Sequence, residues 1–113
     1  MPTIDLPAFE KLKNDVGADF VGELIVAYCD EAPQLIAKLQ YALRENDAAT
    51  IRQAAHSIKA MSNTFGARSL GKMAQKLEMM GRVGDLAGAQ AQVDRLAAEY
   101  DRVRQTLQEL SHG

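Results

Sequence analysis

Apolar residues recur at steps of three and four along nearly the whole chain, which predicts helices. The first group, Leu6, Phe9, Leu12 and Val16, falls on one helical face, and Gly17 follows where it can end the helix. Alternating β-branched runs, which would predict strands, are absent from the sequence. The chain is therefore expected to be all-α.

The second predicted helix covers about residues 19 to 46 and contains Pro33. Asp19 is a favourable residue for its N-cap. Its apolar positions are Phe20, Leu24, Tyr28, Leu35, Leu39 and Leu43. A single kinked helix is favoured over two separate helices, because no Gly or Asn stop precedes Pro33.

Three more helices follow, separated by turn signals at 46–47, 62–66 and 84–85. The third has its inward positions at Ile51, Ala54, Ala55, Ile58 and Met61. The fourth has Leu70, Met73, Ala74, Leu77 and Met80, with Gly81 after them. The last has Leu86, Ala89, Val93, Leu96, Ala97, Tyr100, Val103, Leu107 and Leu110. This pattern predicts one domain over residues 1–113, an antiparallel four-helix bundle with a short additional N-terminal helix.

Composition narrows the class of protein further. The 113 residues are 47% hydrophobic and 25% charged, as in a soluble globular domain. The net charge of −2 argues against binding to nucleic acid, and no apolar run is long enough to span a membrane. The N-terminus lacks the features of a signal peptide, so a cytoplasmic protein is expected. Because each apolar stripe is used within one bundle, we expect a monomer.

The sequence lacks the motifs of a self-sufficient enzyme. It has no glycine-rich phosphate loop, no zinc-protease motif and no nucleophile elbow. The only histidines are His56 and His112, and the only cysteine is Cys29. One histidine and one cysteine on different helices offer no metal ligand cluster, so no metal and no cofactor of the chain's own is expected.

A polar stripe on the third helix runs beside the apolar one: Arg52, His56, Lys59 and Asn63. Their spacing places all four on one face, with His56 at the core boundary and directed toward solvent. An ordinary surface histidine is one interpretation. The other is a nucleophile that attacks a phosphoryl group, with Lys59 and Arg52 supplying positive charge and Asn63 an amide donor. Spacing alone leaves both open.

Residues 55–67, AHSIKAMSNTFGA, resemble the signature of histidine-containing phosphotransfer (HPt) domains, which is roughly A-H-x-[LI]-K-G-S-S-x-x-[LF]-G-A. The similarity continues at Leu70, at 77–78, at 84–86, at 98–100 and at Val103, and it covers nearly the whole chain. It implies a protein that shuttles a phosphoryl group between aspartates of receiver domains in a two-component phosphorelay.

The resemblance implies roles for particular residues. His56 matches the phosphorylated histidine, modified on Nε2, and Lys59 matches the lysine that stabilises the phosphoryl group. Gly66 matches the glycine that opens the next helix. Glu78 lies where many members have a polar residue, often Gln, near the imidazole. Its carboxylate either accepts a hydrogen bond from Nδ1 of His56 or is a plain surface glutamate.

Two departures from the family pattern affect the expected docking surface. Ala60 stands where the family usually has Gly, and Met61 stands where Ser is common. The added methyl group of Ala60 puts the identity of the partner in doubt more than the phosphotransfer role. We expect docking through the small and apolar residues around His56, Ala60 and Met61 among them, rather than through broad charge.

The expected partners are response-regulator receiver domains and a sensor histidine kinase, which includes hybrid kinases. The receiver domain is expected to bring Mg²⁺ and the acidic pocket, so the chain would not phosphorylate itself from ATP. Two alternatives are a non-phosphorylated adaptor that sequesters a receiver, and the phosphoacceptor module of a chemotaxis-type kinase. The start at Met1 and the helix that nearly reaches the end favour a free-standing protein.

Overall fold

The computed structural model describes residues 2–112, without the side chain of His112, and it consists of five helices with no strand in that range. They are α1 (Leu6–Val16), α2 (Ala18–Arg44), α3 (Ala48–Thr64), α4 (Arg68–Val83) and α5 (Ala89–His112). Helices α2 to α5 form an antiparallel bundle in which α3 packs against α2 and α4, and α5 packs against the same two helices. Helix α1 packs on α2. The predicted bundle with a short additional N-terminal helix is confirmed.

The boundary between α1 and α2 differs from the prediction. Gly17, at a φ of +92°, ends α1 and donates its N–H to the carbonyl of Lys13. The same glycine occupies the N-cap position of α2. The prediction of Asp19 as N-cap was therefore wrong. Asp19 lies in the first turn of α2, where its negative charge is favourable near the helix N-terminus.

Helix α2 is a single element of 27 residues with Pro33 inside it, as predicted. Tyr28 and Leu39 are buried as predicted. At the other positions the buried residue is a neighbour of the predicted one, and the buried face consists of Val21, Ile25, Tyr28, Ala32, Ile36, Leu39 and Ala42. Phe20 is 49% exposed, and Leu6 and Val16 of α1 are exposed too, against expectation. Ala32 and Ala42 on the buried face let α2 approach its neighbours, while Leu24, Leu35 and Leu43 lie half-buried at the edge of that face.

The last helix begins later than the prediction. The carboxylate of Asp85 accepts a hydrogen bond from the N–H of Ala87 at 3.1 Å and closes a turn there. Gly88, at a φ of +80°, follows this turn, and α5 starts at Ala89. Leu86, predicted in the helix, thus lies in the connection, half-buried against the core.

A buried polar contact joins α2 to the C-terminal part of α3. The hydroxyls of Tyr28 and Ser62 are 2.9 Å apart, and both side chains are buried. The Tyr28 ring also packs against Phe65 and Tyr100, with centroids 5.1 and 5.7 Å away. Burial raises the pKa of Tyr28 to about 12.

Helices α3 and α4 pack closely because two glycines of α4 face α3. A Cβ on Gly81 would lie 2.7 Å from the carbonyl oxygen of Ala48 and 2.8 Å from the nitrogen of Arg52. A Cβ on Gly71 would overlap the side-chain amide of Asn63. These two glycines hold the facing side chains of α3 and α4 within reach of one another.

Candidate functional site

Helix α3 positions the candidate histidine through its cap and its buried stripe. The carboxylate of Asp47 accepts a hydrogen bond from the N–H of Thr50 at 3.1 Å and fixes the start of the helix. The apolar stripe that includes Ala55 and Ile58 is buried against the bundle. His56 lies beside this stripe with 61% of its side chain exposed, as the spacing predicts.

Glu78 of α4 reaches across to this face of α3 and contacts both predicted site residues. One carboxylate oxygen, Oε2, lies 2.8 Å from Nδ1 of His56, and the other, Oε1, lies 2.6 Å from Nζ of Lys59. An ionised carboxylate only accepts hydrogen bonds, so Nδ1 is the donor and Nε2 keeps the lone pair of the neutral ring. Of the two sequence interpretations of Glu78, the structure agrees with the hydrogen-bonded one.

The surroundings of Glu78 favour its charged form although its side chain is only 6% exposed. The ammonium group of Lys59, which donates a hydrogen bond to it, is the main reason that its pKa lies below the usual range. The hydrogen bond from His56 acts in the same direction, whereas burial opposes both. Glu78 is thus a buried carboxylate held ionised by the two residues that it positions.

Arg82 is a further member of the site that the sequence analysis missed. Its guanidinium lies 3.5 Å from Oε2 of Glu78, one helical turn along α4. The signal was present, since a glutamate followed four residues later by an arginine forms a helical pair. A surface cavity of about 420 Å³ opens here, lined by Arg52, Gln53, His56, Ser57, Glu78 and Arg82.

Four other predicted site residues lie on α3, one before His56 and three after it. Arg52 is exposed and lines the cavity beside His56. Ala60 is exposed, Met61 is half-buried against the core, and Asn63 lies over Gly71 of α4. None of the three lines the His56 cavity.

Gly66 is not part of this cluster. It lies beyond the end of α3 at a φ of +81°, and its carbonyl accepts a hydrogen bond from the N–H of Asp5 at 2.9 Å. A Cβ there would lie 2.9 Å from the Asp5 carbonyl oxygen. Gly66 therefore lets the N-terminal segment pack against the α3–α4 connection, and its contacts give it no role at the imidazole.

The fold and site together define a helical bundle that presents a solvent-exposed histidine, His56, oriented by a carboxylate from the neighbouring helix. The family model described as the Hpt domain matches residues 23–106. The chain therefore belongs to the Hpt domain family and has a histidine phosphotransfer function in phosphorelays. Domains of this family interact with receiver domains and histidine kinases.

A solved structure agrees with this assignment. The crystal structure of histidine-containing phosphotransfer protein B (HptB) from Pseudomonas aeruginosa PAO1 superposes with a TM-score of 0.92 at 25% sequence identity. The match covers 98% of this chain and 96% of that one. A comparison with curated proteins gives no significant match. Within residues 2–112, no helix is both long and apolar enough to cross a membrane.

Proposed function

We propose that His56 is the residue of this chain that accepts and donates the phosphoryl group, through Nε2. The observation that supports this most directly is the hydrogen bond between Nδ1 of His56 and Oε2 of Glu78. It holds the proton of the neutral ring on Nδ1 and leaves the Nε2 lone pair for attack. The exposed ring is also accessible to another protein.

In the proposed transfer, Nε2 of His56 attacks the phosphorus of an aspartyl phosphate on a receiver domain. The bond from phosphorus to nitrogen forms while the bond from phosphorus to the aspartate oxygen breaks, and the aspartate leaves as a carboxylate. Nδ1 keeps its proton, so the ring becomes positively charged, and the Glu78 carboxylate beside it stabilises that charge. Transfer to a second receiver reverses these bond changes.

Lys59 stabilises the negative charge of the phosphoryl oxygens in this proposal. Its ammonium group lies one helical turn from His56 and is anchored by Glu78, with 26% of its side chain exposed. The protein contributes the nucleophile and this charge, and the receiver contributes Mg²⁺ and its acidic pocket. The partners are then response-regulator receiver domains and a sensor histidine kinase, hybrid kinases included.

The test is to mix the purified protein with Mg²⁺ and a receiver domain that carries a labelled phosphoryl group, and to follow the transfer of that label. We expect acid-labile, base-stable label on the wild type and none on His56→Gln. His112→Gln, the same change at the other histidine, is the matched control and should be labelled as the wild type is. Lys59→Ala should slow the transfer by about ten- to hundredfold, the effect of losing a hydrogen bond to a charged group.

The adaptor interpretation gives the opposite result in the same experiment. A receiver would bind measurably, yet no label would reach the wild type with any of several receivers. In that case Ala60, whose methyl group stands where the family usually has glycine, would be the first residue to change to glycine.

A further inference from the structure

The net charge of the chain is small, but its basic and acidic residues are unevenly distributed between the central segment and the rest of the chain. Residues 48–83, which contain α3, α4 and their connection, hold six basic residues and one acidic residue. The rest of the chain holds seven basic and fourteen acidic residues. The formal net charge is therefore +5 for the α3–α4 hairpin and −7 for the rest of the chain, and the two add to the overall −2.

The one acidic residue of this hairpin does little to offset the positive charge at the surface. It is Glu78, which is almost fully buried and already bound to Lys59 and His56. Arg52, Arg82 and Lys72, in contrast, are exposed. A partner that approaches the histidine therefore meets a surface dominated by cations.

Two cavities lie along α3 and α4, and together we call them the α3–α4 groove: Arg52 and Arg82 line one, and Lys72 lines the other. The first is the cavity of about 420 Å³ that contains His56. The second, of about 340 Å³, is lined by Asn63, Arg68, Gly71, Lys72 and Gln75. Its lining contains two cations and two amides and no carboxylate. From Arg52 to Asn63 the groove extends about 16 Å along α3.

We propose that this α3–α4 groove is an electrostatic docking surface for the acidic rim of the aspartyl-phosphate pocket of a receiver domain. The proposal rests on the proposed function, because it names the surface that brings the donor to His56. The first cavity receives the phosphoryl group, and the second binds partner carboxylates through Lys72 and Arg68. Arg68 lines the second cavity while its Nε donates a hydrogen bond to Asp5 at 2.8 Å, so part of its charge is already paired and Lys72 is the main cation there.

Charge complementarity is the reason to choose an acidic partner. A pocket that binds Mg²⁺ and a phosphorylated aspartate requires several carboxylates, and these match a cationic groove. The fourteen acidic residues on the rest of the chain repel such a partner from the other faces and so help to orient it. The sequence led us to expect docking through small and apolar residues rather than through broad charge, and the charge separation is the reason to give charge a part in docking as well.

The experiment compares two charge reversals at different places in the bundle. Lys72→Glu changes an exposed residue of the second cavity, and Arg95→Glu makes the same change of charge on the exposed surface of α5, a helix that packs against α2 and α4. For each protein, the second-order rate constant of transfer from a phosphorylated receiver is measured between 50 and 500 mM NaCl, together with the affinity for the unphosphorylated receiver. Circular dichroism melting checks that both variants fold.

We expect the wild-type rate constant to fall about tenfold or more over this salt range, as for other electrostatically steered encounters. Lys72→Glu should lower the rate constant several-fold at 50 mM NaCl, flatten the salt dependence and leave the rate at saturating receiver unchanged. Arg95→Glu should behave as the wild type does. Equal effects of the two reversals, or a rate independent of salt, would overturn the docking proposal.

The outcome for docking remains separate from the outcome for phosphotransfer. If transfer to the wild type occurs but is insensitive to charge, only the docking proposal fails. If no label reaches the wild type, the proposed function fails, and the affinities for the unphosphorylated receiver still decide the docking proposal. A duplex DNA that displaces the receiver from the groove would show that the cations serve nucleic acid instead, and would also overturn it.

Discussion

Nδ1 of His56 lies 2.8 Å from a carboxylate oxygen of Glu78, a residue that is 22 positions later in the chain and on a different helix. The second oxygen of the same carboxylate binds Lys59. One buried side chain thus fixes the orientation of both residues assigned to phosphoryl transfer. Most of the chemistry that we expect of this protein depends on that contact.

Replacing Glu78 should slow phosphotransfer in a graded way. Glu78→Gln keeps an oxygen that accepts from Nδ1, so we expect a loss of up to about tenfold, whereas Glu78→Ala removes the acceptor and should cost about ten- to hundredfold. The checks are the transfer rate and the ¹⁵N chemical shifts of the ring, which report the Nδ1–H tautomer. Equal rates and unchanged tautomers in both variants would contradict a positioning role.

The stabilisation due to Glu78 should disappear in acid. Its pKa is lower in the folded protein than in the unfolded chain, mainly because Lys59 donates a hydrogen bond to it. The unfolded chain therefore takes up the proton first as the pH falls. The stability due to the charge of Glu78 is fully present above the pKa of a glutamate in the unfolded chain, about 4.3, and is lost progressively as the pH falls below it. We expect the difference in free energy of unfolding between wild type and Glu78→Gln to narrow over this range in urea titrations. A constant difference would show that the charge of Glu78 contributes nothing.

Adding a methyl group to Gly81 should force α3 and α4 apart. Gly81→Ala places its Cβ within 2.8 Å of backbone atoms of Ala48 and Arg52, so we expect a loss of about 1–3 kcal/mol in the free energy of unfolding. Gly22→Ala is the matched control, because Gly22 lies inside α2 with nothing within 4 Å of the added Cβ. That variant should gain up to about 1 kcal/mol from helix propensity. Similar effects of the two changes would contradict the close packing of α3 and α4.

The buried hydroxyl pair should behave as a coupled unit. Ser62→Ala leaves the hydroxyl of Tyr28 buried without its partner and should cost about 1–3 kcal/mol, and Tyr28→Phe removes the same hydrogen bond from the other side. The double variant should lose less than the two single variants together. Denaturant titration of the four proteins measures the coupling, and additive losses would argue against the contact.

Replacing Ala60 by glycine should lower the stability of the protein and widen its choice of receiver partners. Ala60 is exposed inside α3, so Ala60→Gly should lower the free energy of unfolding by up to about 1 kcal/mol through helix propensity alone. Without the methyl group, the transfer rates from a panel of receivers should become more similar to one another. If the relative rates stay as in the wild type, the methyl group has no part in partner selection.

The helices were predictable from the sequence, but the buried face of α2 was only partly so. Phe20 and Val21 are both apolar neighbours, and the larger residue was assigned to the core although Val21 is buried and Phe20 is exposed. The correct stripe depends on small residues such as Ala32 and Ala42, which are weak signals in a sequence. Their contribution to close packing can be seen only when the positions of the facing helices are known.

The site was predictable as far as it lies on one helix. His56 and Lys59 share a face of α3, and their spacing alone brings them together. The contact of Glu78 with both depends on how α4 is aligned with α3, and the packing of Gly81 against Ala48 and Arg52 sets that alignment. No local pattern encodes this alignment. Arg82 differs, because its i,i+4 spacing from Glu78 on α4 is a local signal.

The position of Glu78 on a separate helix has a consequence for how such sequences are compared. A search for the segment around His56 finds chains that possess the nucleophile, but it says nothing of whether the imidazole is held in its reactive tautomer. Substitution at position 78 would change the transfer rate while the segment around His56 stays unchanged. Faster and slower relatives would then be told apart by a residue that the motif does not include.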